Sequence, residues 1–187
     1  SFLMHTYEKA FEKKEIKVAQ ILLSHDDLGN RRRYLNAKHT IEALLERGVI
    51  PIINENDSVT IEEIKIGDND TLSATVACLV DAQLLVILSD VEGLYNRDPS
   101  IKTKGEKAEL ISHVARVNEE IERTAGKSNN RLTVGGMFTK VLAAKKTMSF
   151  GIPTLVVNGL DEKVLESIFS GKDVGTLFWS GKGKIRD

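Results

Sequence analysis

The chain holds a single cysteine, Cys78, so neither an intrachain disulfide nor a multi-cysteine metal site can form. Such sparing use of cysteine fits a reducing cytoplasm, which is the expected location. Aromatic residues make up only 5 % of the 187 residues, too few for the stacking platforms that single-stranded nucleic acid needs. Neither sign of charge is in excess. Lys and Arg number 26 against 27 Asp and Glu, which leaves no polycationic surface for a nucleic acid and no acidic tail. No apolar run approaches the roughly 20 residues needed to span a bilayer, and no secretory signal peptide is visible. Nucleic acid and membrane are therefore not expected partners.

Several chemical signatures are missing as well. There is no G-x-G-x-x-G dinucleotide fingerprint. The stretch "AGKS" (125–128) imitates the end of a phosphate-binding P-loop, but that motif requires a glycine where Ile121 stands. His5, His25, His39 and His113 are scattered and read as structural or surface residues, and no Ser–His–Asp arrangement emerges. No internal repeat is present.

What remains is the composition of a soluble globular protein, 41 % hydrophobic and 28 % charged, at a length that suits one compact domain with a sizeable core. The opening "SFLMHTYEKAFEKK" has the periodicity of a helix over 2–13 and reads as the inside of one. The chain is accordingly expected to start partway through a larger protein. "IKVAQILL" (16–23) predicts a strand and "SHDDLGN" a loop. Asn30 is a candidate cap for a helix through "RRRYLNAKHTIEALLERG", which Gly48 ends. Three cations at that helix start oppose its dipole. They are either solvated or aimed at acidic groups on a loop or a neighbouring subunit.

"VIPIIN" (49–54) predicts a second strand, "IEEIKI" a hairpin or edge strand, and "DTLSATVACLVDA" (70–82) a helix that buries Cys78. "LLVILSD" (84–90) is the near-continuous apolar run of a central parallel strand. A loop with turn signals at Gly93 and Asp98-Pro99 follows it. Later come a helix in "NEEIERTA", a polar loop in "GKSNNRLTVGG", a helix after Gly136, a strand in "IPTLVVNG", a helix in "EKVLESIFSG" and a last strand in "GTLFW". This alternation predicts an α/β fold with a mainly parallel sheet and helices on both faces. Ligands of such sheets bind at the carboxyl ends of the strands.

Two clusters carry the chemistry. Asn54 to Asp57 follow the end of the second strand, and Gly67-Asp68-Asn69-Asp70 open a helix. Asp70 has two readings, a helix cap or a ligand group. Capping needs only one of these residues, and a hairpin would bring both clusters together as a polar site for an amino acid's carboxylate and ammonium. "VGGMFTK" (134–140) is a further candidate. Its glycines and helix start suit an anion, with Lys140 as the cation; the alternative is an ordinary loop with a solvated lysine. Ser89 and Asp90, past the end of the central strand, face the same kind of crevice.

Taken together, "PIINENDSV", "GDNDTLSA", "LLVILSDVEGLYNRDP" and "GGMFTKVLAAK", in this order, resemble the glutamate 5-kinases within the amino acid kinase family. "RRRYLNA" and "VGTLF" are similar too, and the likeness covers nearly the whole chain. It implies a three-layer α/β/α fold and ATP-dependent phosphorylation of the γ-carboxylate of L-glutamate, the first step of proline synthesis. Mg2+ would be carried with the nucleotide rather than held in a protein cage. The resemblance assigns glutamate binding to Asn54, Asp57 and Asn69. To Asp70 it gives the orienting of catalytic lysines, and to Lys140 the stabilising of the transferring phosphoryl group. Nucleotide binding falls to Ser89, Asp90, Val134, Gly135, Gly136, Met137, Phe138, Thr139 and Lys140. Ser89 stands where the family usually has Thr, and Thr133-Val134 where it commonly has Gly-Thr. The resemblance further implies a homo-oligomer, and proline as a feedback inhibitor. Residues 1–179 correspond to the carboxyl-terminal part of the kinase domain and 180–187 to a polar tail. A first strand, a glycine-rich phosphate loop and a catalytic lysine are expected upstream, and without them the chain is not expected to turn over efficiently. Acetylglutamate, aspartate and carbamate kinases, or a non-catalytic ligand-binding fragment, are the alternatives.

Overall fold

Asn30 starts the longest helix among the described residues, as its sequence position predicts. In the computed structural model, which describes residues 2–56, 68–97, 99, 107–126 and 136–181, its side-chain oxygen accepts from the backbone N–H groups of Arg32 (3.0 Å) and Arg33 (3.3 Å). These residues fall into two compact units, Ser1–Leu72 and Ser73–Asp187.

The first unit runs α1 (Phe2–Glu12), β1 (Lys17–Leu23), α2 (His25–Gly29), α3 (Arg31–Glu46) and β2 (Val49–Glu55). Strands β1 and β2 pair in parallel, from Lys17 opposite Val49 to Leu23 opposite Glu55, with α2 and α3 as the crossover. Gly48, at φ +68°, ends α3 in the left-handed conformation that a side chain would resist. The expected loop "SHDDLGN" is instead the short helix α2. Ser24 and Asp27 form a reciprocal capping box. The Ser24 hydroxyl and backbone N–H both donate to Asp27 Oδ2 (2.6 and 2.8 Å), and Asp27 N–H donates back to Ser24 Oγ (3.3 Å). These bonds, the hydroxyl's first, hold the Asp27 carboxyl below its usual pKa, and the nearby Arg33 adds to the effect. The arginine run also finds a partner here. Arg33 lies 3.7 Å from Asp26 and 3.9 Å from Asp27, so the acidic groups that face it belong to the preceding helix.

Helix α4 (Asn69–Leu79) begins in the first unit and ends in the second. The second unit continues with β3 (Leu85–Ser89), β4 (His113–Val114), α5 (Glu119–Gly126), α6 (Met137–Ser149), β5 (Thr154–Asn158), α7 (Val164–Phe169) and β6 (Thr176–Phe178). Its sheet has the order β3-β5-β6-β4. Pairs β3/β5 and β4/β6 are parallel and β5/β6 is antiparallel, so the mainly parallel expectation holds with one reversal at the short last strand. The described strands form two sheets rather than one.

Strand β5 shows why this unit is layered. Its residues 154–157 are all buried. Val156 joins a core with Ile87, Val141, Ala144 and Phe178, whereas Leu155 and Val157 pack on the other side with Val164 of α7. Alternation along a strand sends these sets to opposite faces, so helices cover both. Helix α6 turns its stripe Lys140, Val141, Ala143, Ala144 and Thr147 inward. A tight turn at 150–153 then reverses the chain into β5, and the fully buried hydroxyls of Thr147 and Thr154 meet at 2.5 Å. Lys145 bonds Glu122 of α5 at 2.5 Å, and Lys146 donates to Thr75 of α4 at 2.7 Å. Cys78 is buried, as expected. Strand β4 was not anticipated; its two residues exist as a strand because Leu177 and Phe178 lie beside them. No helix of the described residues is long and apolar enough to cross a membrane.

Candidate functional site

At the carboxyl end of β2, Asn56 N–H donates to Leu23 O (2.9 Å) and extends the parallel ladder one step past the strand. Asn54, opposite Leu22, is exposed. Asp57 and the expected hairpin of 61–66 lie outside the described residues. At the start of α4 the structure separates the four polar letters. Asp68 is the cap: its Oδ1 accepts from Thr71 N–H (2.7 Å), and its carbonyl accepts from Leu72 N–H (3.1 Å). Asp70, half-buried in the first turn, is therefore not the cap, and Asn69 is exposed beside it.

In the second unit, the carboxyl ends of β3 and β5 lie side by side, Ser89 opposite Asn158. Ser89 Oγ donates to Asp90 Oδ1 (3.2 Å), and Ser89 O accepts from Gly159 N–H (2.7 Å). Asn158 Oδ1 accepts from Leu160 N–H (2.9 Å), turning the chain away. Asn158 and Gly159 were not singled out from the sequence, although an Asn-Gly pair closing an apolar strand is a turn signal. Gly159 is required here: a Cβ would come within 2.8 Å of Leu88 Cβ. Beyond Asp90, Tyr95 donates to Glu92 Oε2 at 2.5 Å, a bond that raises the pKa of the phenol, with burial and the Glu92 charge adding to it.

Helix α6 supplies the remaining group. Its cap is Gly136, with no side-chain oxygen bonded at the helix start. Thr139 turns its hydroxyl back to Gly136 O (2.7 Å). Gly136, Met137 and Thr139 are half-buried, and Phe138 is exposed. Lys140 is only 8 % exposed, which removes the reading of a solvated surface lysine. Because α6 runs opposite to β5, its start lies toward the carboxyl edge that bears Ser89 and Asn158. Val134 and Gly135 lie outside the described residues. Among the described residues no group of three or more His, Cys, Asp or Glu is placed to hold a metal ion.

The second unit thus carries a polar strand-end corner, a glycine-capped helix start and a buried lysine. The model of the amino acid kinase family matches residues 1–158, and the chain belongs to that family. It is 53 % identical over 185 residues to a glutamate 5-kinase of Geobacter sulfurreducens, covering 99 % of this chain and 49 % of the relative. To a glutamate 5-kinase of Carboxydothermus hydrogenoformans it is 50 % identical, covering 97 % and 48 %. The chain thus spans about half the length of the curated relatives it matches. Among solved structures, a UMP kinase from Bacillus anthracis is similar in fold, with a TM-score of 0.56 at 17 % identity, over 90 % of this chain and 60 % of that one. An isopentenyl phosphate kinase from T. acidophilum is similar too, with a TM-score of 0.58 at 16 % identity, over 91 % and 63 %.

Proposed function

We propose that the chain is part of an enzyme that transfers the γ-phosphoryl group of ATP to the γ-carboxylate of L-glutamate. The observation that carries this reading is the buried Lys140 just inside a helix that a glycine, Gly136, caps. Cation and helix dipole together favour a phosphate. The glutamate 5-kinase relatives support the choice of glutamate as acceptor.

A carboxylate oxygen of glutamate attacks the γ-phosphorus, the bond from that phosphorus to the bridging oxygen breaks, and ADP leaves. Both reactants are anions, so positioning and charge neutralisation do most of the work. Asn54, Asp57 and Asn69 hold glutamate, the acid taking its ammonium group and the amides its carboxylate. Ser89, Asp90 and the 134–140 segment hold the nucleotide. Asp70 orients the cationic groups, and Lys140 balances charge on the moving phosphoryl group. Mg2+, when bound with ATP, would neutralise phosphate charge. The same reading makes the protein a cytoplasmic homo-oligomer inhibited by proline.

Trapping of the acyl phosphate by hydroxylamine tests the reaction, with acetylglutamate and aspartate as comparison acceptors. It is run on the chain and on a version extended to the relatives' full length. Hydroxamate formed with glutamate is the expected result in the extended version; hydroxamate formed with another acceptor in its place would overturn the assignment. In that version Asp57→Ala raises the KM for glutamate, while Lys140→Ala lowers kcat by about a hundredfold or more. One shared kinetic pattern for both variants would refute the division of roles.

A further inference from the structure

We infer that Thr176, far along the chain from the nucleotide residues, is a positioning residue for the segment that carries Asp90 to Tyr95. The inference rests on the proposed nucleotide site. Thr176 is fully buried in β6, and its Oγ1 accepts from Leu94 N–H at 2.8 Å, a bond that spans 82 residues of sequence. The carbonyl of Leu94 accepts from Ile111 N–H at 2.8 Å, so the backbone of Leu94 is held from both sides. Gly93 lies so close that a Cβ there would come within 2.5 Å of Thr176 Oγ1 and 3.0 Å of Leu110 Cδ1. The other end of the segment is held by the bond from Gly159 N–H to Ser89 O, at 2.7 Å.

The exposure pattern follows from these two anchors. Residues 90 to 92 face outward, and residues 93 and 94 are buried. The six residues from Asp90 to Tyr95 thus form a short bridge with fixed abutments, bearing Asp90 at one side and the Glu92–Tyr95 pair at the other. Tyr95 pairs with Leu110 in an isolated antiparallel bridge, but Leu94 gives its N–H to a side chain and not to a strand neighbour. Removing the Thr176 acceptor leaves a buried N–H without a partner and frees the bridge to shift. A threonine that merely satisfied the core would cost stability when replaced and leave ligand affinity alone.

The test is Thr176→Val, which keeps the shape and deletes the acceptor, with Thr176→Ser as the rescue. In the version extended to the relatives' full length, binding of MgATP and of L-glutamate is measured by calorimetry well below the melting temperature, alongside hydrogen exchange at the Leu94 amide. The Val variant is expected to speed Leu94 exchange and to weaken MgATP by about tenfold, as loss of one buried hydrogen bond implies. Glutamate affinity should stay within about twofold, and the Ser variant should behave as the parent in all three readouts. Equal loss of MgATP and glutamate affinity, or unchanged MgATP affinity with faster exchange, overturns the inference. Failure of the extended parent to bind MgATP overturns the nucleotide reading itself, and the inference with it. Gly93→Ala strikes the same contact from the other side. It must weaken MgATP in the same way, which keeps the test alive if the Val variant does not fold.

Discussion

Strands β2 and β5 are written in nearly the same letters, "VIPIIN" and "TLVVN", yet they live in different surroundings. Residues 154 to 157 of β5 are all buried, between β3 and β6 and under helices on both faces. In β2 every residue is half-buried or exposed, and its one strand neighbour among the described residues is β1. An apolar run therefore announces a strand without announcing how much apolar area it removes from water. Neighbours decide that, and burial scales with them. The same contrast separates the two candidate strand ends. The corner at Ser89 and Asn158 is braced by the backbone bond from Gly159 to Ser89 and by the Asn158 side chain on Leu160 N–H, whereas the corner at Asn54 and Asn56 is set by a single parallel ladder.

The strongest way to break this comparison is to truncate one side chain in each unit. Phe178, fully buried in the second core, should cost about 3–5 kcal/mol when replaced by alanine. Ile52→Ala, in the half-buried β2, should cost roughly 1–2 kcal/mol. Urea melts read both, and similar losses at the two sites would mean that β2 is better covered than its exposure shows.

A sharper version uses two glycines of the same conformation. Gly48 and Gly175 sit at φ +68° and +70°. A Cβ at Gly48 meets nothing within 4 Å, so Gly48→Ala should carry only the backbone penalty of about 1–2 kcal/mol. At Gly175 it would run into the carbonyl of Val156, so Gly175→Ala should cost clearly more and lower the melting temperature further. Equal shifts would show that β5 and β6 part easily.

The smallest expected effect lies in the first unit. The Asp27 carboxyl is held below its ordinary value of 3.8, first by the Ser24 hydroxyl. A depressed carboxylate contributes stability that is fully present above the unfolded pKa and is lost as pH falls through the folded one. Acid titration of stability below about pH 4 should therefore flatten in Ser24→Ala. Unchanged acid sensitivity would remove the capping box as its source.

Much of this frame is legible before any coordinates. Asn30 and Gly48 bracket α3 because caps and left-handed terminators are local chemistry, and β1, β2, β3 and β5 show as apolar runs. Helix α2 escaped because two aspartates and Gly29 look like a turn, and the Ser24–Asp27 box uses Asp where Glu or Gln is the usual signal. Strand β4 has no local signal, since its pairing with β6 alone defines it. Within the site, "GDND" offers several possible caps, and only geometry selects Asp68. Asn158 is a turn residue in sequence; the parallel register sets it opposite Ser89. The burial of Lys140 has a partial signal, because it precedes Val141 on the stripe that continues through Ala144 and Thr147.

The hydroxyl pair of Thr147 and Thr154 has a consequence for length. It rivets α6 to β5 near the point where the chain doubles back. From that rivet, seven residues of helix reach back to Lys140, a rise of about 10 Å, and four residues of strand reach forward to Asn158, about 13 Å. Two arms of different construction thus end at nearly the same height. The rivet works as the zero mark of a ruler, against which a helix cation and a strand-end amide are measured off to one edge.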